Sequence, residues 1–512
     1  MDKIHEWVSS SCHGTRCDGD VETSTASSSK NGHLRDGTAT AEADGRRRTT
    51  AATRQAQTHN VTRRRAGPAG GSPTTTFCHT ERMVDAPTRD VPGLDEFGAE
   101  VVAFLDANAT AKPPEQEFVW GEGSDSVAVF EERDEDVERA MLDAAKAWRA
   151  TRDDAGLGWI SGPSEYGGRA LSAAHQRRYD SLEAGYQVPN QSFFTIGLGM
   201  VAPTILAHGS DAAKTRLLAP LYRGDVVACQ LFSEPGSGSD LASLQTRAER
   251  DGDEWVVSGQ KVWTTGAQFS DVGEVIARTD AELPKHRGLT GFIVDMHAPG
   301  VEVRPLRQMT GGASFNEVFF NDVRVPDEDR LGDVNQGWTV ALTTLMNERA
   351  AIGGGGMGGG DIMAKVMHMP AAFGLADDAV TRQRLADLVI HTRVHRYTIQ
   401  RAMDKIRSGQ LPGPELSIAK LAGTENMRRI GDFVAGILGA RLTADTGEWG
   451  TFGWNQLVLG TPGARVAGGT DEVMRNIVGE RVLGLPKDPG IDTTSPFREL
   501  KVGTQTRGGE QT

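Results

Sequence analysis

The sequence has few cysteines, no long apolar run and no excess of basic charge. Four cysteines occur in 512 residues, three of them before residue 80, so neither a disulfide framework nor a structural metal site is indicated. No run of about 18 apolar residues is present, which argues against a transmembrane helix. The net charge of −14 argues against a nucleic-acid partner. These features predict a cytoplasmic protein without a bound metal ion.

Residues 1–82 also lack the apolar periodicity of a folded domain. Ser, Thr, Gly, Ala and Arg dominate this stretch, so no face could be buried to offset the entropy of ordering it. Three explanations are open: translation begins at Met83, the extension is real but disordered, or it is an organellar transit peptide. Acidic residues such as Asp18, Asp20 and Glu22 disfavour a transit peptide, which is normally acid-poor.

Beyond residue 82 the spacing of apolar residues changes twice. It is helical over 83–228, has the period of two typical of strands over 229–332, and is helical again over 333–490, before a tail at 491–512. Within the strand zone, TRAERDGDEWVVSGQKVW predicts a hairpin that turns at Asp251-Gly252. No GxGxxG loop opens a helix, so a nicotinamide-binding domain is not indicated. The order predicts a multidomain α+β protein.

A polar loop marks the passage from the first helical zone to the strands. The segment QLFSEPGSGSD, residues 230–240, would expose consecutive backbone N–H groups and hydroxyls, which suits an anion or the edge of a polar ring. By itself a Gly- and Ser-rich loop is better explained as a structural turn. The block VSGQKVWTTGAQFSD, residues 257–271, follows after the predicted hairpin.

Together, in this order, the two blocks resemble the acyl-CoA dehydrogenase family, which pairs an EPGAGSD-like block with a GxKxW block. Further resemblances, such as EYGGRAL and AGGTDEVMRNIVGERVLGLP, extend over about residues 83–486. The resemblance implies a helical N-terminal domain, a small β-barrel or sheet domain and a C-terminal four-helix bundle. It also implies FAD-dependent conversion of an acyl-CoA thioester to a trans-2-enoyl-CoA in lipid β-oxidation. Electrons would pass to an electron-transfer flavoprotein, and the chain would form a dimer or tetramer.

The resemblance also assigns roles to individual residues. Trp263 would flank the flavin ring, and Ser239 would lie near both the cofactor and the CoA thioester. The simpler alternative for Trp263 is an ordinary aromatic on a strand. Thr470 and Glu472 would contact the flavin from the other side. The residues that the resemblance assigns to FAD binding are Phe232, Ser233, Gly238, Ser239, Trp263, Thr265, Thr470 and Glu472.

A catalytic base is the next requirement, and the resemblance offers two positions for it. Many relatives carry a Glu in a Glu-Gly-Thr sequence, but here Gly468 occupies that position, before Gly469 and Thr470. A second branch of the family places the Glu on an earlier helix before an Arg, which matches Glu348 and Arg349.

Helical spacing supports Glu348 independently, because Ala341, Leu345 and Ile352 put it on the apolar face of its helix. Desolvation there would raise its pKa toward that of a general base. The alternative for Glu348 is an ion pair with Arg349 or with a neighbouring helix. In the base assignment, Arg349 orders the substrate or the helix. The resemblance also implies that the backbone N–H of Gly468 holds the thioester oxygen, with Gly469 beside the substrate.

The chain departs from the family pattern in three further places. The Arg expected before Phe373-Gly374 is absent, the usual Gly-Gly-x-Gly loop is replaced at 447–460, and a glycine run occupies 353–360. The first two changes affect contacts at the adenine end of FAD. They leave open a subunit of a hetero-oligomer with an incomplete site of its own. A flavin oxidase or monooxygenase on the same fold is a further alternative.

Overall fold

The computed structural model describes residues 91–114, 117–128, 133–353, 359–408, 413–414, 416–487 and 492–500. The predicted extension at 1–82 and most of the glycine run at 353–360 lie outside these residues. In the described part of the chain, no helix is long and apolar enough to cross a membrane. The same residues contain no group of three His, Cys, Asp or Glu side chains suited to a metal ion.

The described chain begins with helices, as the apolar spacing predicts. Capping residues set the ends of the helix at Asp211–Arg223. It begins after Ser210, whose hydroxyl accepts a hydrogen bond from the Ala213 N–H at 3.0 Å, and it stops at Gly224, whose φ is +91°. A two-stranded pairing of β1 and β2 joins the start and end of this region. The elements are α1 (Leu94–Asn108), β1 (Thr110–Ala111), α2 (Glu135–Asp154), α3 (Ala173–Glu183), β2 (Tyr186–Gln187), α4 (Ala202–His208) and α5 (Asp211–Arg223).

An eight-stranded sheet follows. The strands are β3 (Ala228–Leu231), β4 (Arg247–Asp251), β5 (Glu254–Thr265), β6 (Val272–Arg278), β7 (Leu289–Asp295), β8 (Val301–Leu306), β9 (Phe315–Pro326) and β10 (Arg330–Leu331). Their order is β10-β7-β6-β4-β5-β9-β8, and β3 pairs with β6 in parallel.

The hairpin predicted between β4 and β5 is confirmed, but its turn is one residue later than expected. Asp251 is the last paired residue and faces Glu254, so Gly252 and Asp253 form the loop. Only Gly252 of these residues has a positive φ, because it alone has no Cβ to oppose that conformation.

The two faces of β6 enter different cores. Val275 and Ala277 pack inside the sheet domain with Phe292 and Val318. Ile276 points the other way, into a core shared with helices of both helical regions. The period of two in a strand therefore makes β6 the boundary between the sheet core and the helices.

Six more helices follow the sheet: α6 (Gly337–Gly353), α7 (Gly359–Ala372), α8 (Ala379–Arg407), α9 (Leu416–Leu438), α10 (Trp454–Val466) and α11 (Asp471–Ile477). Helix α9 lies centrally and contacts the other five. Trp454 and Phe433 are buried in their shared core. The succession of helices, sheet and helices confirms the predicted α+β class.

Part of the predicted tail is folded onto the sheet domain. The Phe497 N–H donates to the Leu283 carbonyl at 2.9 Å, and the guanidinium of Arg278 lies 3.7 Å from the Phe497 ring centroid. The remainder of the tail, 501–512, lies outside the described residues.

Candidate active site

The two sequence blocks at 230–240 and 257–271 lie side by side. The N–H of Val262 donates to the Ser233 carbonyl at 2.9 Å, and Lys261 Nζ donates to the Phe232 carbonyl at 3.0 Å. Phe232 is buried, whereas Ser233 is half-buried. Strand β5 and the loop after β3 are therefore held together at the residues expected to face the flavin.

A buried ion pair is at the centre of this junction. Lys261 Nζ lies 2.9 Å from Glu234 Oε1, and the two side chains are 0% and 7% exposed. The backbone N–H groups of Gln245 and Thr246 also donate to the Glu234 carboxylate, at 2.6 and 2.9 Å. Burial alone would raise the pKa of Glu234, but Lys261 and these hydrogen bonds outweigh burial and lower it. The carboxylate therefore stays charged and fixes the loop.

The loop itself is a tight turn with an open outer edge. Glu234 and Ser237 exchange two backbone hydrogen bonds, and Ser237 Oγ donates to the Asp240 carbonyl at 2.7 Å. Gly238 and Ser239 are exposed, and a Cβ built on Gly238 meets no atom within 4 Å. The turn thus presents Gly238 and Ser239 to any molecule that approaches from that side.

Trp263 has an unusual backbone conformation. It lies at a register shift of β5 between Lys261 and Thr264, with a φ of +63°. The residue is 61% exposed, and its ring meets Phe315 edge-on, with 6.2 Å between ring centroids. A left-handed conformation costs a non-glycine residue about 1–3 kcal/mol, and such outliers cluster at functional sites. Thr265, the next residue predicted to contact the flavin, is also exposed.

Buried polar atoms without a partner cluster at the same end of the sheet. Thr264 Oγ1, Asn316 Oδ1, Gln308 Nε2 and Thr310 Oγ1 are all buried and have no hydrogen-bond partner in the part of the chain that the structure describes. Such atoms are rare in folded proteins unless water or a ligand completes them. The exposed Trp263, the exposed Thr265 and these unsatisfied polar atoms fit the ring and polar edge of a flavin.

Glu348 lies on α6, which packs against α4, β6 and β7. On the same helix Ala341 is buried and Leu345 packs partly into the core, while Glu348 is half-buried. The predicted apolar face is therefore present up to Glu348. The side chains of Arg349 and Ile352 lie outside the described residues, so the predicted role of Arg349 stays a prediction.

The loop that carries Gly468 joins α10 to α11. Gly468 and Gly469 have φ values of +64° and +90°, which a side chain disfavours. Lys420 Nζ of α9 donates to the Gly469 carbonyl at 2.8 Å. Thr470 then begins α11, and its hydroxyl accepts a hydrogen bond from the Val473 N–H at 3.2 Å. The loop conformation is thus fixed while position 468 has no side chain that could act as a base.

Asp471 anchors this loop from inside. Its carboxylate is 3% exposed and lies 2.6 Å from Arg465 Nε, 3.0 Å from Thr424 Oγ1 and 3.3 Å from Lys420 Nζ. These partners lower the pKa of Asp471 despite its burial. Beside it, a cavity of about 440 Å³ is lined by residues of α9, α10 and α11, including Glu472. Glu472 is exposed, so it is available to a bound molecule at that cavity.

The predicted residues therefore form two groups. Phe232, Ser233 and Trp263 belong to one hydrogen-bonded unit in the sheet domain. Gly468–Glu472 belongs to the α11 loop. Helix α9 contacts both α11 and α6, the helix of Glu348.

Phe373, before which the family's Arg is absent, packs against residues of its own chain. The Phe373 ring packs edge-on against Trp120, with 5.8 Å between centroids, and Arg441 lies 5.4 Å from the Phe373 centroid. No basic residue directly precedes Phe373, as the sequence shows. Within the described residues, Phe373 thus serves an aromatic cluster of its own chain.

Glu234 and Lys261 were not predicted as functional residues, although a signal was present in the sequence. Lys261 lies at the same alternate positions of β5 as the buried Trp255 and Val257, and a buried lysine requires a partner. The carboxylate of Glu234 is in the other block. The need for that partner connects the two blocks from their residues alone.

Comparisons with known proteins identify the family of the chain. Residues 123–225, 229–323 and 335–483 match the family models for the N-terminal, middle and C-terminal domains of acyl-CoA dehydrogenase. The acyl-CoA dehydrogenase IpdE1 of Mycobacterium tuberculosis is 34% identical over 406 residues, covering 77% of this chain and 98% of IpdE1. The acyl-CoA dehydrogenase FadE34 of the same organism is 38% identical over 65% of this chain, which spans only 45% of that relative.

Solved structures show the same architecture. A protein described as the Tcur3481-Tcur3483 steroid ACAD superimposes with a TM-score of 0.60 at 27% identity, covering 77% of this chain and 98% of the other. The ChsE4-ChsE5 complex of M. tuberculosis matches with a TM-score of 0.57 at 26% identity, over 80% and 100% of the two chains. Both the sequence models and the full-length relatives lead to one conclusion: the chain belongs to the acyl-CoA dehydrogenase family, whose members bind FAD.

Proposed function

We propose that the chain dehydrogenates an acyl-CoA thioester to a trans-2-enoyl-CoA, with Glu348 as the base. The observation that carries this proposal is the junction of the two blocks, where the exposed Trp263 and the half-buried Ser233 lie near unsatisfied polar atoms. FAD, when bound there, supplies the hydride acceptor for the β-carbon. Phe232, Ser233, Trp263 and Thr265 would hold its ring.

The remaining chemistry belongs to the protein. Glu348 takes the α-proton, and its position on the half-buried face of α6 keeps that carboxylate partly out of water. The N–H of Gly468 binds the thioester oxygen and stabilises the negative charge that develops there. A glycine suffices for this role because only the backbone participates. Ser239, Gly238 and Gly469 line the path of the thioester.

On the helical side, three more residues would contact the cofactor or the substrate. Thr470 and Glu472 would contact FAD from α11, where the 440 Å³ cavity is lined in part by Glu472. Arg349 would order the substrate or α6. Electrons would leave to an electron-transfer flavoprotein past Trp263, whose ring is open to solvent.

The activity is tested by anaerobic bleaching of the flavin. The purified protein should be yellow and should lose its flavin absorbance with one of three thioesters: butanoyl-CoA, cyclohexane-1-carbonyl-CoA or the CoA thioester of a steroid side chain. These represent the short-chain, cyclohexane-1-carbonyl and steroid groups that appear in the names of similar proteins. Bleaching by none of them, with FAD bound, would refute the proposal. Rapid reoxidation by oxygen after bleaching would favour an oxidase instead.

A hetero-oligomer is the second candidate arrangement. Phe373 has no Arg before it and packs on Trp120 of its own chain, and the two similar structures above have two-component names. The measurement is the FAD content and mass of the isolated protein in solution. A homodimer or homotetramer with one FAD per chain excludes this arrangement, whereas substoichiometric FAD restored by a second acyl-CoA dehydrogenase chain supports it.

A further inference from the structure

A carboxyl group is buried on the helical side of β6 without a role in the proposed chemistry. Glu274 is 0% exposed. Its neighbours Val275 and Ala277 enter the core of the sheet domain, so Glu274 points the opposite way, toward α4 and α6. Burial of a carboxyl group is costly, so its surroundings should show how it is accommodated.

A row of hydrogen bonds runs from this carboxyl into two helices. Thr344 Oγ1 of α6 lies 2.6 Å from Glu274 Oε1 and 2.9 Å from Thr204 Oγ1 of α4. Thr204 Oγ1 donates to the Met200 carbonyl at 2.8 Å, and the Val340 carbonyl, 3.2 Å from Thr344 Oγ1, is a second possible acceptor for Thr344. The second oxygen, Glu274 Oε2, is buried without a hydrogen-bond partner among the described residues.

The direction of donation along this row depends on one proton. If Glu274 carries a proton, its O–H can donate to Thr344, Thr344 to Thr204, and Thr204 to the Met200 carbonyl. Every hydroxyl then both donates and accepts. If Glu274 is ionised, Thr344 must turn its hydrogen to the carboxylate, and the buried Oε2 retains negative charge without a donor.

The charges around Glu274 favour the proton. Burial raises the pKa of Glu274 to about 8, and the only opposing contribution is the hydrogen bond from Thr344. The titratable or charged residues on the adjacent helices are His208 of α4, which bonds to Thr343, and Glu348 and Arg349 of α6. Asp295 and Arg278 lie at the ends of β7 and β6. At pH 7 the carboxyl is therefore mostly neutral.

Thr344 precedes Glu348 by four residues, so the two lie one helical turn apart on the same side of α6. We propose that Glu274, as a neutral acid, is a positioning residue that holds α6 against β6 and α4 and thereby fixes the carboxylate of Glu348. This inference rests on the proposed role of Glu348 as the base. Ionisation of Glu274 would reverse the donor at Thr344 and place a second negative charge near Glu348.

The test compares the rate of flavin reduction with pH in four proteins: the wild type, Glu274→Gln, Thr344→Val and Thr339→Val. Thr339 is exposed on the same helix, so Thr339→Val is the matched control for loss of a hydroxyl. The probe is whichever of the three thioesters named above reduces the wild-type flavin fastest. Absorbance of bound FAD before mixing confirms that each variant is loaded.

The wild-type rate should fall above about pH 8, as Glu274 ionises. Glu274→Gln is neutral at every pH and can still donate to Thr344, so it should keep the rate at pH 7 and lose the fall. Thr344→Val should lower the rate at pH 7 by about 10- to 100-fold, the effect expected of a displaced catalytic group. Thr339→Val should behave as wild type. An infrared difference spectrum at pH 7 should show a protonated carboxylic acid that is absent in Glu274→Gln.

Two results would overturn the inference: an unchanged alkaline fall in Glu274→Gln, or a Thr344→Val rate equal to that of Thr339→Val. A missing carboxylic-acid band in the wild type at pH 7 would also overturn it, and this measurement needs no turnover. Failure of the proposed function is seen separately. In that case Glu348→Gln would still reduce its flavin, whatever Glu274→Gln does.

Discussion

The ion pair between Lys261 and Glu234 provides the sharpest test of how the two sequence blocks are joined. In Lys261→Met, the carboxylate of Glu234 loses a partner at 2.9 Å and stays buried. At an effective dielectric constant of 20 this pair interacts by about 6 kcal/mol. Part of that loss is offset, because the N–H groups of Gln245 and Thr246 continue to donate to the carboxylate. The expected loss in free energy of unfolding is about 3–5 kcal/mol.

The assay is urea denaturation at pH 7, with FAD content measured on the same samples. Arg324→Met is the matched control. Arg324 of β9 pairs at 2.8 Å with Glu254 of β5, the strand that carries Lys261, but its side chain is 56% exposed. An exposed pair contributes about 0–1 kcal/mol, so this variant should unfold nearly as the wild type does. The double variant Lys261→Met with Glu234→Gln should recover part of the loss. A loss in free energy of unfolding below about 1 kcal/mol in Lys261→Met would refute the reasoning, because an unpaired buried charge should destabilise the fold by more than that.

Three further predictions follow from single residues. Trp263→Gly should stabilise the FAD-free protein by about 1 kcal/mol, since glycine accepts a φ of +63°, yet weaken FAD binding in a fluorescence titration. Thr470→Ala should cost about 1 kcal/mol in urea unfolding, because it removes the hydroxyl that accepts from Val473. Glu274→Gln should gain stability over the wild type between about pH 4.5 and 8, by at most about 5 kcal/mol. The sign follows because the unfolded carboxyl ionises near pH 4.5 and the folded one near 8, so only the wild type loses stability in that window. A constant difference between the two proteins across these pH values would contradict it.

The fold was predictable because its signals are local. The period of two in β8 and β9 and the helical period in α6 both lie within single elements, and the structure has those elements at the expected places. The turn of the β4–β5 hairpin was misplaced by one residue. Its position depends on how Asp251 pairs with Glu254 across the ladder, and such pairing is not visible in the dipeptide Asp251-Gly252.

The sequence predicted only those parts of the candidate site that lie within one continuous block of residues. Trp263 was singled out for its sequence block, but its left-handed backbone arises from a register shift between β5 and β9. Glu274 gave no signal at all, because its hydrogen-bond partner Thr344 is 70 residues away in the sequence, and Thr204, which bonds to Thr344, lies on yet another helix. Contacts of that kind depend on packing between domains, which residue spacing does not encode.

The assignment of the base is tested most directly by Glu348→Gln, which removes the proton acceptor and changes little in volume. With FAD bound and a thioester that bleaches the wild type, the variant should stay yellow under anaerobic conditions, slowed by at least about 10²- to 10⁴-fold. Glu302→Gln, an exposed carboxylate on β8, is the control and should bleach as the wild type does. Bleaching of Glu348→Gln at close to the wild-type rate would contradict the account, since the proton would then be taken by another group.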